Sequence, residues 1–305
     1  SSSSSSISKY VDVEGYRIFD GITLDGYIRG ADIFLDENDN FIADANENYS
    51  TSDNDGRFYD LKYYDGNLIS LGGSDLDTSI LLDGLLLLNK LDGFSSLKVI
   101  TPITSISAFM ESPSNINAAL GIDSSIDITK TDPIANLGDN GVYDYLYEKG
   151  NQSTTIALTI SNALNSYNST TDTTEDYFKA IAEELELSYE ESNGIIDIED
   201  ESFINKVIEN LTLTKANDLG SNEKDNIKSA LHAVIPIIEV KNNASATTAI
   251  QNFAFSTLQS DIKNIATGSA TSSTINNYQN DIYNYIASDQ NIPIEELNKA
   301  PKITS

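Results

Sequence analysis

The sequence predicts an α+β protein in which a small N-terminal β-sandwich precedes a larger α-helical domain. Three observations favour this class. Short segments rich in aromatic and β-branched residues, separated by Asp-Gly pairs, fill the first 73 residues. From about Ser74 onward, apolar residues recur at the i, i+3, i+4 spacing of an amphipathic helix. The length of 305 residues also suits two ordinary domains.

The β-sandwich is predicted at residues 14–73, after a Ser-rich N-terminal arm at residues 1–13. Asp-Gly pairs mark its turns, because both residue types tolerate the left-handed backbone that tight turns require. These predicted turns lie at Asp20-Gly21, Asp25-Gly26, Asp55-Gly56 and Asp65-Gly66. Strands are predicted at residues 16–19, 26–35, 56–61 and 68–71. About five or six short strands in such a length are typical of a small sandwich.

The α-helical domain is predicted at residues 74–297, and residues 298–305 are predicted to be a linker to a further domain. Its first helix is short, with Ser112 and Pro113 as the start signal and Gly121 as the C-terminal cap. Pro236 is predicted to end a helix that begins near Ser221. Apolar stripes predict the longer helices, and the first residues of these stripes are Val142, Ile156, Phe178, Ile204, Ile227, Ile250 and Ile275.

Charge and composition exclude several classes of function. The chain has 47 Asp and Glu against 18 Lys and Arg, a formal net charge of -29, which repels nucleic acid and anionic lipid. It has no Cys and a single His, which excludes thiol nucleophiles and sites with several His ligands. No run of 18 apolar residues occurs, so no transmembrane segment is predicted. Because of the large negative net charge, we expect no nucleic-acid partner.

The densest group of oxygen-bearing side chains lies at residues 36–47. Calcium prefers six to eight oxygen ligands, and twelve-residue calcium loops supply them from positions 1, 3, 5, 7, 9 and 12. The seventh position contributes a backbone carbonyl. The loop departs from the usual pattern at position 6, where Phe41 replaces the common Gly. The sequence therefore predicts a Ca²⁺ site whose ligands are Asp36, Asn38, Asn40, the Ile42 carbonyl, Asp44 and Glu47.

The residues on either side of this loop carry a family resemblance. Residues 30–35 lead into the loop and residues 51–58 follow it, and the whole of residues 26–61 resembles the prealbumin-like, calcium-binding B repeats of bacterial surface adhesins. Residues 72–78 and 99–105 are similar to the stretch that follows such a module in very long surface proteins. Residues 298–305 are similar to the lead-in of cadherin-like repeats. The resemblance implies a calcium-bound β-sandwich that acts as a rigid spacer on the cell surface.

Sequence motifs of catalysis are missing, and no enzyme activity is predicted. His232 lies on a predicted helix without a motif that would supply a nucleophile and an orienting acid. Neither a G-x-S-x-G nucleophile turn nor a phosphate-binding loop occurs. Carboxylate-dependent hydrolysis stays open as an alternative because acidic residues are abundant, although the absence of Trp disfavours a carbohydrate-gripping cleft.

These observations predict an exported, calcium-stabilised structural module of a bacterial cell-surface protein, in an adhesin or in a self-assembling filament or surface array. An alternative is a domain that binds a peptide or a sugar through its helical part. The predicted location is extracellular, at the cell surface. A repeating homo-oligomeric assembly is expected, in which the arm at residues 1–13 lies against a neighbouring copy.

Overall fold

The computed structural model describes residues 11, 14–76, 79–139, 141–165, 173–211, 219–239, 254, 257–266 and 271–288. It confirms the α+β class, because the strands come first and the helices follow. The strands are β1 (Ile18–Thr23), β2 (Ile28–Arg29), β3 (Asp32–Asp36), β4 (Tyr49–Thr51), β5 (Arg57–Lys62), β6 (Gly66–Leu71), β7 (Ser74–Asp75), β8 (Leu86–Leu91) and β9 (Leu97–Ile100). The helices are α1 (Pro102–Phe109), α2 (Ile116–Leu120), α3 (Gly141–Asn165), α4 (Glu175–Ser192), α5 (Glu201–Glu209), α6 (Ser221–Ile238), α7 (Thr257–Ala266) and α8 (Ser272–Ser288).

The strands form two main sheets and one short two-stranded ribbon. The larger sheet is antiparallel, with the order β4-β3-β6-β8, and the smaller has the order β5-β1-β9, in which β1 and β9 run parallel. The ribbon pairs β2 with β7. A hydrogen bond of 2.7 Å from the Thr23 hydroxyl to that of Ser70 joins β1 of the smaller sheet to β6 of the larger one. Two sheets that share a core in this way fit the predicted sandwich.

The larger sheet is buried on both faces. Alternate residues of β3, β6 and β8 belong to two different apolar clusters, as the two-residue period of a strand requires. Its inner face contributes Ile33, Leu35, Leu68, Leu87 and Leu91 to the main core. Its outer face contributes Phe34, Ile69, Leu86 and Leu88 to a second cluster, which Phe41, Leu71, Ala108 and Phe109 cover. Helix α1 therefore lies over the outer face of the larger sheet.

The change from strand to helix occurs later than the sequence indicated. A helical region from Ser74 was predicted, but β8 and β9 lie at residues 86–100 and complete the two sheets. The helical prediction is therefore wrong for residues 74–76 and 79–100. The reason is that β8 begins with three consecutive buried leucines, residues 86–88, which face both sides of the sheet, so it lacks the alternation that identifies a half-exposed strand.

Three local predictions also need correction. The pair Asp20-Gly21 lies inside β1 and is not a turn, and a Cβ at Gly21 would lie 2.2 Å from the ring of Phe58 on β5. Pro236 does not end its helix, because α6 continues to Ile238. The two apolar stripes that begin at Val142 and Ile156 lie on one 25-residue helix, α3. The predicted short helix before Gly121 is present as α2, and Gly121 has the left-handed φ of 72°.

Helix α6 accommodates Pro236 through a side chain from another helix. Proline has no backbone NH, so the carbonyl of His232, four residues earlier, loses its usual helical partner. Gln279 on α8 donates its side-chain NH to that carbonyl at 2.7 Å. The partly buried carbonyl is therefore satisfied, and the helix continues through the proline.

One apolar core extends from the strands into the helices. The cluster that contains Phe19 and Leu61 of the sheets also contains Ile156 of α3 and Phe178 of α4. The predicted regions at residues 14–73 and 74–297 therefore both contribute to one core. The predicted arm at residues 1–13 lies outside the described residues except for Val11, and the predicted linker at residues 298–305 lies outside them entirely.

Candidate calcium-binding loop

The predicted calcium loop connects β3 to β4 at the end of the larger sheet. Strand β3 ends at Asp36, and β4 begins at Tyr49, with Phe34 paired to Tyr49 in antiparallel register. Asp36 is 1% exposed, although it begins a loop whose next residues are exposed. The first predicted ligand therefore lies at the boundary between the sheet core and the loop.

The carboxylate of Asp36 closes the first turn of the loop. One oxygen accepts a hydrogen bond from the backbone NH of Asn40 at 3.2 Å, and the other accepts one from the NH of Phe41 at 2.9 Å. Backbone NH groups that converge on one carboxylate hold the negative charge in a defined position. The loop therefore curls around its first predicted ligand.

Three other predicted ligands meet at a single atom. The side-chain amides of Asn38 and Asn40 both donate to Oδ2 of Asp44, at 2.9 Å and 2.8 Å. The backbone NH of Ile42 donates to the Asn40 side-chain oxygen at 2.9 Å. Residues that are up to six positions apart in the chain are thus brought together, as the predicted ligand spacing requires.

Glu47 ties the end of the loop to its beginning. One of its carboxylate oxygens accepts from the backbone NH of Glu37 at 3.1 Å, and the other accepts from the NH of Asp44 at 2.9 Å. Its two oxygens are therefore both held within the loop, as a bidentate ligand requires. The side chain of Ile42 is 60% exposed and has no oxygen, so only its backbone carbonyl can take the predicted role.

The backbone of the loop takes left-handed conformations at two residues. Asp39 has a φ of 56° and Phe41 has a φ of 59°. This conformation costs an ordinary residue about 1–2 kcal/mol, which is why calcium loops commonly have Gly at position 6. Phe41 adopts the conformation without being Gly, and its ring packs on Phe109 of α1 with 6.2 Å between ring centroids. Burial of this ring offsets part of the backbone strain.

The donor set fits calcium by its chemistry, since every predicted ligand offers a hard oxygen. Within the described part of the chain, no group of three or more His, Cys, Asp or Glu side chains is arranged to hold a metal ion. The predicted set has only three carboxylates, and its other two side chains are amides. Asn38 and Asn40 direct their NH groups to Asp44, so each amide would have to rotate to offer its oxygen to an ion.

A second acidic turn lies at residues 53–56. Asp53 accepts hydrogen bonds from the backbone NH groups of Asp55 at 2.8 Å and Arg57 at 2.9 Å, and Gly56 has a φ of 75°. The carboxylate thus closes the turn that the Asp-Gly pair predicts. This is the behaviour of an ordinary Asp turn.

The structure supplies His232 with an acidic partner that the sequence did not reveal. Its Nδ1 lies 2.8 Å from a carboxylate oxygen of Glu201 on α5, and its Nε2 lies 2.9 Å from the side-chain oxygen of Asn276 on α8. An open groove of about 340 Å³ lies beside these residues, and Lys228 also lines it. Glu201 is 31 residues away in the chain, so no local motif could have indicated the pair.

Comparison with known proteins adds no family to this description. No protein-family model, curated protein or solved structure matches the chain. The resemblance of residues 26–61 to surface-adhesin repeats therefore stays a prediction from the sequence. In the segments that the structure covers, no helix is both long and apolar enough to cross a membrane.

Proposed function

We propose that this chain is a calcium-stabilised structural module of a bacterial cell-surface protein, in an adhesin or in a self-assembling surface filament or array. The observation that carries the proposal is the hydrogen-bond network of residues 36–47. Asp36, Asn38, Asn40, Asp44 and Glu47, the five predicted side-chain ligands, all take part in it. The extracellular location rests on the resemblance of the flanking residues to surface-adhesin repeats.

The role proposed for calcium is mechanical. The loop concentrates Asp36, Glu37, Asp39, Asp44 and Glu47 in twelve residues of a chain whose net charge is -29. Mutual repulsion among these carboxylates opposes the compact loop, and a divalent cation removes that repulsion. Because the loop joins β3 to β4, its rigidity would be passed directly to the larger sheet.

The test is calcium titration by calorimetry on the wild-type chain and on variants that keep side-chain size. We expect a dissociation constant of roughly 0.1–1 mM, as in extracellular calcium modules. Asp44→Asn and Glu47→Gln should weaken binding strongly. Glu37→Gln is the matched control, because it removes a charge from the same loop at a position that is not a predicted ligand. Equal effects of all three variants, or no calcium uptake by the wild type, would refute the proposal.

Assembly is the second part of the proposal. We propose that copies of the chain associate through the arm at residues 1–13, with divalent cations reducing the repulsion between acidic subunits. Electron microscopy in millimolar calcium should show filaments or sheets that dissolve on chelation. Deletion of residues 1–10 should abolish them and leave the subunit folded. Monodisperse monomers in calcium by light scattering would contradict this part and leave the calcium-stabilised module standing.

The groove beside His232 favours a second candidate function, the binding of a peptide or a sugar. Glu201, Lys228 and Asn276 place charged and amide groups around about 340 Å³ of open space. Such groups can bind the polar ends of a short peptide or the hydroxyl groups of a sugar. Titration with trialanine and with N-acetylglucosamine, followed by NMR of the His232 ring, tests this candidate. Unchanged ring signals at millimolar concentrations of both compounds would count against it.

A further inference from the structure

We propose that Phe41 is a positioning residue of the calcium loop, and that it couples calcium binding to the packing of α1 on the larger sheet. This inference rests on the proposed calcium function. It assigns a role to the one position at which the loop departs from the usual pattern. The side chain that replaces Gly is used to connect the loop to the first helix.

The backbone of Phe41 is held by a predicted calcium ligand. Its NH donates to Oδ2 of Asp36 at 2.9 Å, next to the bond from Asn40 to the other oxygen. This contact holds the residue in its left-handed conformation, with a φ of 59°. A change in the position of the Asp36 carboxylate therefore changes the direction in which the Phe41 side chain leaves the loop.

The ring of Phe41 contacts the last residue of α1. Its centroid lies 6.2 Å from that of Phe109, with the two ring planes tilted by 40°. Both side chains are half-buried and cover the outer-face cluster of the larger sheet. That cluster is formed by Phe34, Ile69, Leu86 and Leu88, all at most 1% exposed. The Phe41 ring and α1 therefore cover this cluster together.

These two contacts join the ligand carboxylate to the helix through one residue. Calcium would hold Asp36 and the loop in the conformation that places the ring on Phe109. By thermodynamic linkage, removal of the Phe109 ring must then weaken calcium binding, although Phe109 is not itself a ligand. An aromatic pair contributes about 0.5–1.5 kcal/mol, which corresponds to a factor of roughly 2 to 12 in affinity.

Calorimetry on Phe109→Ala and Phe94→Ala tests this coupling. Phe94 is the matched control, because it is also half-buried and its ring pairs with Tyr63 at 5.4 Å, in a contact that does not involve α1. We expect Phe109→Ala to weaken calcium binding by about 2- to 12-fold and Phe94→Ala to leave it unchanged. Equal affinities for Phe109→Ala and the wild type would overturn the inference.

Hydrogen exchange supplies an independent readout and also serves if Phe109→Ala fails to fold. In the wild type, calcium should slow the exchange of amides in α1. In Phe41→Gly, which keeps the left-handed conformation accessible but removes the ring, calcium should still bind without slowing α1 exchange. Binding without any protection of α1 in the wild type, or equal protection in Phe41→Gly, overturns the coupling and leaves the calcium module standing. Failure of the wild type to bind calcium overturns both proposals.

Discussion

The Thr174 hydroxyl pairs with both backbone groups of Leu86 on the outer edge of the larger sheet. It accepts the Leu86 NH at 3.0 Å and donates to the Leu86 carbonyl at 2.9 Å, although the two residues are 88 positions apart. Leu88, two residues further along β8, is bound in a similar way by α1. The Thr104 hydroxyl donates to the Leu88 carbonyl at 2.6 Å, and the Ser105 hydroxyl accepts from the Leu88 NH at 2.8 Å. Hydroxyl groups of α1 and of the N-cap residue of α4 thus take the place of a further strand and protect this edge.

Thr174→Val should destabilise the fold by roughly 2–6 kcal/mol, because it leaves two buried backbone groups unsatisfied at about 1–3 kcal/mol each. Valine keeps the shape of threonine, so the loss reports on the hydroxyl. Urea denaturation measures the free energy of unfolding. Thr174→Ser is the control and should retain most of the stability. Equal stability of the Val variant and the wild type would show that the edge does not depend on this hydroxyl.

Asp25 should make the stability of the protein depend on pH. The residue is 1% exposed, and burial, with a smaller contribution from the Asp75 carboxylate, raises its pKa to about 8. An unfolded Asp titrates at about pH 3.9. Between these values the folded state binds a proton that the unfolded state has released. The free energy of unfolding should therefore fall as the pH rises from about 4 to 8.

Asp25→Asn removes this contribution, because the amide stays neutral at every pH. Urea denaturation at pH 5 and pH 8 should show a smaller loss of stability in the variant than in the wild type, by on the order of 1 kcal/mol per pH unit. Asp60→Asn, at an exposed residue of β5, should retain the wild-type decline. Parallel stabilities of Asp25→Asn and the wild type across this range would contradict the prediction.

Calcium should raise the melting temperature of the chain. A ligand that binds only the folded state stabilises it by mass action, by roughly 1.4 kcal/mol at ten times its dissociation constant. Chelation should reverse the effect in the wild type and have no effect in Glu47→Gln. Differential scanning calorimetry with and without chelator measures both. A melting temperature that does not respond to calcium would count against the loop as a binding site.

Ile208→Asp should unfold the helical part of the protein. Ile208 is fully buried on α5, and an unpaired carboxylate in an apolar core costs several kcal/mol, against a typical total stability of roughly 5–15 kcal/mol. Ser202→Asp adds the same group to the exposed face of the same helix and should be tolerated. Circular dichroism separates the two outcomes. A fully helical Ile208→Asp variant would show that this position is outside the core that maintains the fold.

The sequence by itself determined those features that depend on residues close together in the chain. The helical periods around Phe178 and Ile204 predict α4 and α5, because side chains three and four positions apart share one helix face. The spacing of side-chain oxygens from Asp36 to Glu47 predicted a calcium site, which stays a prediction; the structure shows that the same residues share one hydrogen-bond network. The prediction from local periodicity was wrong at β8, which is a strand. Burial of both of its faces removes the alternation of apolar and polar residues by which a strand is identified.

Only the tertiary structure decided which distant groups meet. Thr174 satisfies Leu86, Glu201 binds His232, and Gln279 takes the place left by the missing NH of Pro236. In the sequence, Phe41 is only a departure from the usual calcium-loop pattern. The structure shows that its ring packs on Phe109 of α1. Such contacts depend on how whole elements pack, and packing is the sum of many weak, non-directional interactions that leave no spacing in the sequence.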